Sequence, residues 1–336
     1  MGSNQAPLLK KRFYQVKIKS LEVASLQDLG QLMDQLQHQA FHKAYGKIWD
    51  LAMIEVSVEA IASLTQYYDQ PLRCFTFGDF QLVPTVEEFE EILGCPLGRQ
   101  KPYLFSGFYP SMARIAMVVK ISMQELDQVK QNRNGIVGIP RRHLEEKAKV
   151  LADQGEWALF IDVLALLVFG LVLLPNVDGL VDLAAIDAFL AYHHSKESPV
   201  VAILADTYDT FDRRCINNGT RIVCYTPALY GGRVGVLSSC EGFSNVFLMG
   251  TRGCINYNPV LAIRQIGYPM RGAPSEKSIT PFIARGFSDP NARILQGVCL
   301  QDAQMQELDW LPKLKVSNEE EVETPKESED VQALKA

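Results

Sequence analysis

Trp157–Gly179 reads WALFIDVLALLVFGLVLLPNVDG, and whether it crosses a membrane or fills a core decides the fold. From Trp157 to Leu174 the only charge is Asp162. The uninterrupted apolar run, Val163 to Leu174, is twelve residues long, too short to span a bilayer. Reaching spanning length means burying Asp162 near a helix centre, at a cost of roughly 2.5–3.5 kcal/mol. A buried central helix is therefore expected. It needs no such insertion, and it gives the amphipathic helices on either side a core to cover. Pro175 stops that helix and NVDG turns the chain. Asp162 must then find solvent or a partner.

The neighbouring segments carry helical periodicity. In VPTVEEFEEILGCP, Thr85 and Glu88 stand in capping-box spacing ahead of Val86, Phe89, Ile92 and Leu93, with Gly94 as C-cap and Pro96 as a stop. Ser122 and Glu125 repeat the device in ISMQELDQVK. In IPRRHLEEKAKVLADQG, Pro140 suits the first helical position, Leu144, Ala148 and Leu151 share one face, and Gly155 closes the element. Asp182 is the expected N-cap of VDLAAIDAFLAYHH, with Leu183, Ile186, Phe189 and Leu190 facing inward. SPVVAILADTYDTFDRRC gives a further helix whose inner face holds Val201, Leu204, Ala205, Tyr208 and Phe211. Only RCFTF near Phe75 and RIVCY near Val223 suggest strands. The expected fold is a mainly α, multi-helix globular domain with at most a few short strands, followed by an irregular C-terminal region.

Four stretches follow from composition. Residues 1–20 form a flexible basic leader, 21–230 the helical core, 231–312 a Gly- and Pro-rich, weakly packed remainder, and 313–336 a disordered acidic tail. The tail's four Lys against seven acidic residues supply −3 of the net −6. A chain of that charge does not suit general phosphate binding. Seven scattered cysteines without a CxxC pair point to reduced thiols, and the N-terminus has no secretory h-region. A nuclear or cytoplasmic, non-secreted protein without a membrane anchor is expected.

Candidate chemistry is sparse. His193 and His194 are adjacent and diverge on a helix, so they are read as solvent-facing residues at a helix C-terminus. Asp206, Asp209 and Asp212 recur every third residue and could present carboxylates to a metal; a solvated face, with Arg213 and Arg214 offering charge pairing, accounts for them more simply. GGRVGVLSS around Gly231 lacks the Lys-Ser/Thr ending of a phosphate loop. Cys215 and Cys224 lack further ligands for zinc, and Cys74 reads as a buried structural thiol. KKRFYQVKIK interleaves cations with Phe13 and Tyr14, a pattern that suits a charged leader, a nuclear-localisation element or a nucleic-acid grip. Arg114, Lys120, Lys130, Arg133, Arg141 and Arg142 could together form a basic face. No catalytic, cofactor-binding or metal residue, and no cofactor, is assigned.

Several long stretches, among them YYDQPLRCFTFGDFQLVPTVEEFEEILGCPLG (Tyr67–Gly98), GIPRRHLEEKAKVLADQG (Gly138–Gly155), Leu164–Cys215 and Gly250–Gln296, resemble a legume-expanded plant family related to the plant mobile domain and often labelled aminotransferase-like. The resemblance runs from about Tyr45 to Gln296. It implies a mainly helical, transposon-derived domain whose host relatives act in transposon silencing, gene regulation and meristem maintenance with phosphatase-like partners. It brings no catalytic residue set, and no Lys here stands in a recognisable pyridoxal-phosphate site. The sequence departs from the family pattern after Thr226–Tyr230, where Gly231-Gly232 interrupts a helix start and the chain resumes at GVLSSCEGF. A block looks deleted there, which should bare apolar surface on the preceding helices. The functional expectation is a non-enzymatic protein-interaction domain. The alternative is a mobile-element structural or nucleic-acid-associated protein without catalysis of its own.

Overall fold

The computed structural model describes residues 17–18, 23–54, 58–70, 72–77, 80–95, 100–216, 222, 246–251, 253–257 and 283–285, all within one compact unit, Met1–Cys299. The fold is mainly helical, with short antiparallel strands, as expected. The leader up to Val16, Cys224, Thr226–Tyr230, the Gly231 loop and the acidic tail lie outside the described residues.

The apolar run forms the hub. Helix α9 (Trp157–Val168) buries every residue from Val163 to Val168. Around it pack α1 (Ala24–Gly30), α2 (Gln35–Tyr45), α3 (Ile48–Ala52), α6 (Met112–Val119), α8 (Arg141–Asp153) and α10 (Leu183–Ser195). Each large side chain buried there contributes on the order of 1.5–3 kcal/mol. Among the described residues, no helix is long and apolar enough to cross a membrane.

The helix does not run straight to Pro175. It widens into a π-helical turn over Phe169–Leu173, closed by the Leu174 N–H donating to the Phe169 carbonyl at 2.9 Å. Gly170 in that turn lies against Val181, so closely that a Cβ would stand 2.5 Å from Val181 Cγ1. The missing side chain is what lets the turn approach strand β6 (Leu180–Asp182).

Other local expectations hold. Thr85 and Glu88 form a reciprocal capping box at the start of α5 (Val86–Leu93), and Gly94 ends it in the left-handed conformation. Ser122 caps α7 (Met123–Val129) and Asp182 caps α10. Pro140 sits one residue earlier than expected, as the N-cap of α8. α11 (Val200–Ile216) and α4 (Val58–Thr65) complete the helices described.

The strands make three small antiparallel sheets. RCFTF supplies β2 (Cys74–Phe77), between β1 (Tyr68–Asp69) and β3 (Phe80–Leu82), with Phe75 opposite Leu82. β4 (Gln131–Arg133) and β5 (Ile136–Pro140) form a hairpin across Asn134-Gly135, and β5 also pairs with β6. Both turn residues have positive φ, 54° and 85°, the pairing that Asn-Gly favours.

The third sheet, β7 (Val246–Met249), β8 (Gly253–Tyr257) and β9 (Ile283–Arg285), falls in the stretch read as irregular. Its Leu248, Met249 and Ile255 are buried in the main core, and β7 and β8 pack on α11. The apolar surface expected to be bared on the helices before Gly231 is therefore covered on α11, where Ile216 at the last position is the exposed large apolar residue. These strands are held by long-range contacts that no local periodicity signals.

Candidate functional site

Polar groups within the helical core are the natural place to look for chemistry, and Asp162 is the first of them. It projects from the first half of α9 towards the last residue of α2, Tyr45. α2 is fixed at its other end by a capping box between Asp34 and Gln37. The Tyr45 hydroxyl donates to Asp162 Oδ1 at 2.6 Å and lies 2.8 Å from His193 Nδ1. A phenol has one proton, and the carboxylate takes it. His193 then meets the phenol oxygen through Nδ1 as the donor. Burial, reinforced by Asp162, pushes the Tyr45 hydroxyl far above the usual tyrosine range, so it stays neutral.

His193 is thus not the solvent-facing residue expected. Its ring stacks on Tyr45 and Phe189, and only His194 faces outward. The reason is invisible locally: Tyr45, at the end of α2, sets its ring against Phe189, Tyr192 and His193 of α10. Burial and the neighbouring His193 and Arg114 lower the His194 pKa. Lys196, the left-handed C-cap of α10, lays its ammonium over the Tyr45 and Tyr192 rings and donates to the Ala44 carbonyl at 3.2 Å. The nearest thiol, Cys95, lies 3.9 Å from the Tyr192 hydroxyl, and burial pushes its pKa up, away from nucleophilic thiolate.

The aspartates of α11 are the larger correction. Asp206, Asp209 and Asp212 are all buried rather than on a solvated face, Asp212 completely. α5, β7 and β8 pack on α11, and its Phe211 clusters with Phe75 and Ile222, so the three aspartates are covered. Steps of three on a helix rotate each carboxylate by about 60° from the last, and the three go to different places. Asp206 accepts the Thr251 N–H at 3.0 Å and the Thr251 hydroxyl. Asp209 Oδ2 stands 2.7 Å from Arg213 Nε, close enough to pair although the N–H is poorly aligned. Asp212 accepts from Arg73 Nε and from the Tyr68 hydroxyl, both at 2.9 Å. Among the described residues, no group of three or more His, Cys, Asp and Glu converges as a metal ligand set.

A fourth carboxylate, Asp187 of α10, was not singled out in the sequence. It accepts the Tyr103 hydroxyl at 2.7 Å, and burial raises its pKa against the opposing effects of that bond and of Arg114. Nothing local marks it, since its partner lies 84 residues away.

The six cations proposed as a basic face are not equivalent. Lys130 pairs with Asp127 and Arg141 with Glu145, while Arg133 binds the Gln131 side chain. Arg114, Lys120 and Arg142 are exposed. Cys74 is buried, as read, and Cys215 is exposed, with burial of its thiol nonetheless raising its pKa.

Asp162, Asp187, Asp206 and Asp212 thus bind side chains distant in the sequence, Asp209 pairs within α11, and His193 meets Tyr45 of α2. No curated protein and no solved structure matches the chain. A family does, over residues 26–234 and 231–307, and the chain belongs to it: the family described as a domain of unknown function, DUF7745.

Proposed function

We propose that this chain is a non-enzymatic protein-interaction domain of mobile-element origin, nuclear or cytoplasmic, and linked to silencing, gene regulation or meristem maintenance. The observation that carries the non-enzymatic reading is where the ionisable groups go. Asp162, Asp187, Asp206, Asp209 and Asp212 each bind a side chain of the chain itself. A general acid or base needs a face open to substrate. The origin and the cellular role rest on the resemblance to plant mobile domain relatives, and phosphatase-like or silencing factors are the corresponding partners.

The alternative, a nucleic-acid-associated element protein, draws on the same resemblance. It loses support because Lys130, Arg133 and Arg141 are engaged within the chain, leaving fewer cations for phosphates. The test is binding by the purified full chain. Partners recovered by proximity labelling in plant nuclei should bind it directly and saturably. Retention on DNA or RNA that falls steeply with salt, without any direct protein partner, would overturn the reading in favour of the alternative.

A further inference from the structure

Between Glu91 and Glu125 the chain, −6 overall, carries no acidic residue but four cations, Arg99, Lys101, Arg114 and Lys120. The middle of this stretch is α6, whose inner face, Ile115, Ala116 and Val119, is buried against the core. Its outer face presents Ala113, Arg114, Met117 and Lys120. At 100° per residue Ala113, Arg114 and Met117 fall within one arc of about 100°, and Lys120 follows them as the exposed left-handed C-cap. Met117 is 67% exposed, and Arg114 and Lys120 flank it three residues to either side. Among the described residues, no salt bridge is formed by either cation, although Arg114 acts electrostatically on Asp187 and Glu197.

The approach to α6 is more apolar still. Phe108 is 82% exposed, and Tyr109 beside it is 45% exposed, its ring set against Phe105. Tyr109 stands two residues before Ser111, the N-cap of α6, so this aromatic pair leads directly into the start of that helix. Met123 at the start of α7 is also exposed. Phe, Tyr, Met and Arg are the residue types enriched at protein interfaces. Nothing in the fold requires a phenylalanine to stand in water.

We propose that the outer face of α6, with Phe108 and Tyr109, docks an acidic amphipathic segment of a partner protein. The segment's apolar side chains cover Phe108 and Met117, and its carboxylates meet Arg114 and Lys120, which stand about 9 Å apart along the helix. A protein suits the surface better than a nucleic acid, because two cations, one of them already acting on Asp187 and Glu197, release few counterions. This proposal rests on the interaction-domain reading and gives it a surface and a partner chemistry.

The test uses the full chain and two synthetic helical peptides, one with a leucine stripe flanked by glutamates, the other with lysines in their place. Fluorescence anisotropy should show the glutamate peptide binding at least about tenfold more tightly than the lysine peptide. F108S/M117E should lose that binding, and R114E/K120E should reverse the preference. Unchanged circular dichroism and denaturation midpoints in both variants keep the result from being an unfolding artefact. Equal binding of the two peptides, or none, overturns the proposal. If F108S/M117E binds the glutamate peptide as the parent does, this surface is wrong while the interaction-domain reading stands. If only DNA or RNA is retained, both fail.

Discussion

Asp212 is wholly buried, and what it costs the protein is set by Arg73. Arg73 is itself buried and is held at φ 49°, an uncommon conformation for a non-glycine residue. Removing one member of a buried pair strands the other charge in a poorly solvated place, typically at about 3–5 kcal/mol. R73M should therefore lower stability by that order in urea unfolding. R73M/D212L should be less destabilised than R73M alone, since no charge is then left behind. A double variant at least as unstable as the single one would show that packing, not charge, governs the site. Asp187 gives the pH counterpart. Burial raises its folded pKa above the ordinary 3.8, so the native state holds its proton over a window in which the unfolded chain has lost it. The native state then binds more protons, and this group's contribution to stability falls as pH rises through the window. In D187N that component is absent. The urea midpoint of the parent relative to that of D187N should rise as pH falls from neutral to acid; parallel curves would sink the assignment.

At the scale of elements, the π-helical turn at Phe169–Leu173 is where the central helix yields to its neighbour. G170A would place a methyl 2.5 Å from Val181 Cγ1, and overpacking of this kind costs about 1–3 kcal/mol. V181A frees that space, so the double variant should be more stable than the sum of the single effects implies. Additive losses in a denaturation cycle would locate the strain elsewhere. Much at this scale was legible in the sequence. Thr85, Ser122 and Asp182 cap where their spacing said, and the apolar run is the buried hub. The Asn134-Gly135 hairpin and the Asp34–Gln37 capping box carry local signals just as plain and would have been found by the same reasoning. The π turn was not legible, because it answers to Val181, which lies beyond the helix and its following turn. The polar networks were misjudged for a related reason. A helix with aspartates on several sides reads as solvated unless the strands that cover it are known, and those strands have no periodic signature. His193 is hidden for the same reason, its partner Tyr45 lying 148 residues away.

Over the whole molecule, the family match meets itself at residues 231–234, with no chain left between its two parts. β7 and β8 pack directly on α11. Asp206 then becomes the fastening: it holds both the N–H and the hydroxyl of Thr251, in the turn between the two strands. Gly250 permits the approach, since a Cβ there would stand 2.3 Å from Asp206 Oδ1. A hydrogen bond to a buried carboxylate contributes about 1.5–3 kcal/mol. Loss of the hydroxyl in T251V should therefore speed amide exchange at 246–249 and 253–257 by roughly ten- to a hundredfold if the sheet opens separately from the helices. Exchange in α8, α9 and α10 should hardly change. G250A should act in the same direction by displacing the carboxylate. If T251V instead raises exchange equally through the helical hub, the sheet is an inseparable part of one cooperative core and not a cover fastened onto α11.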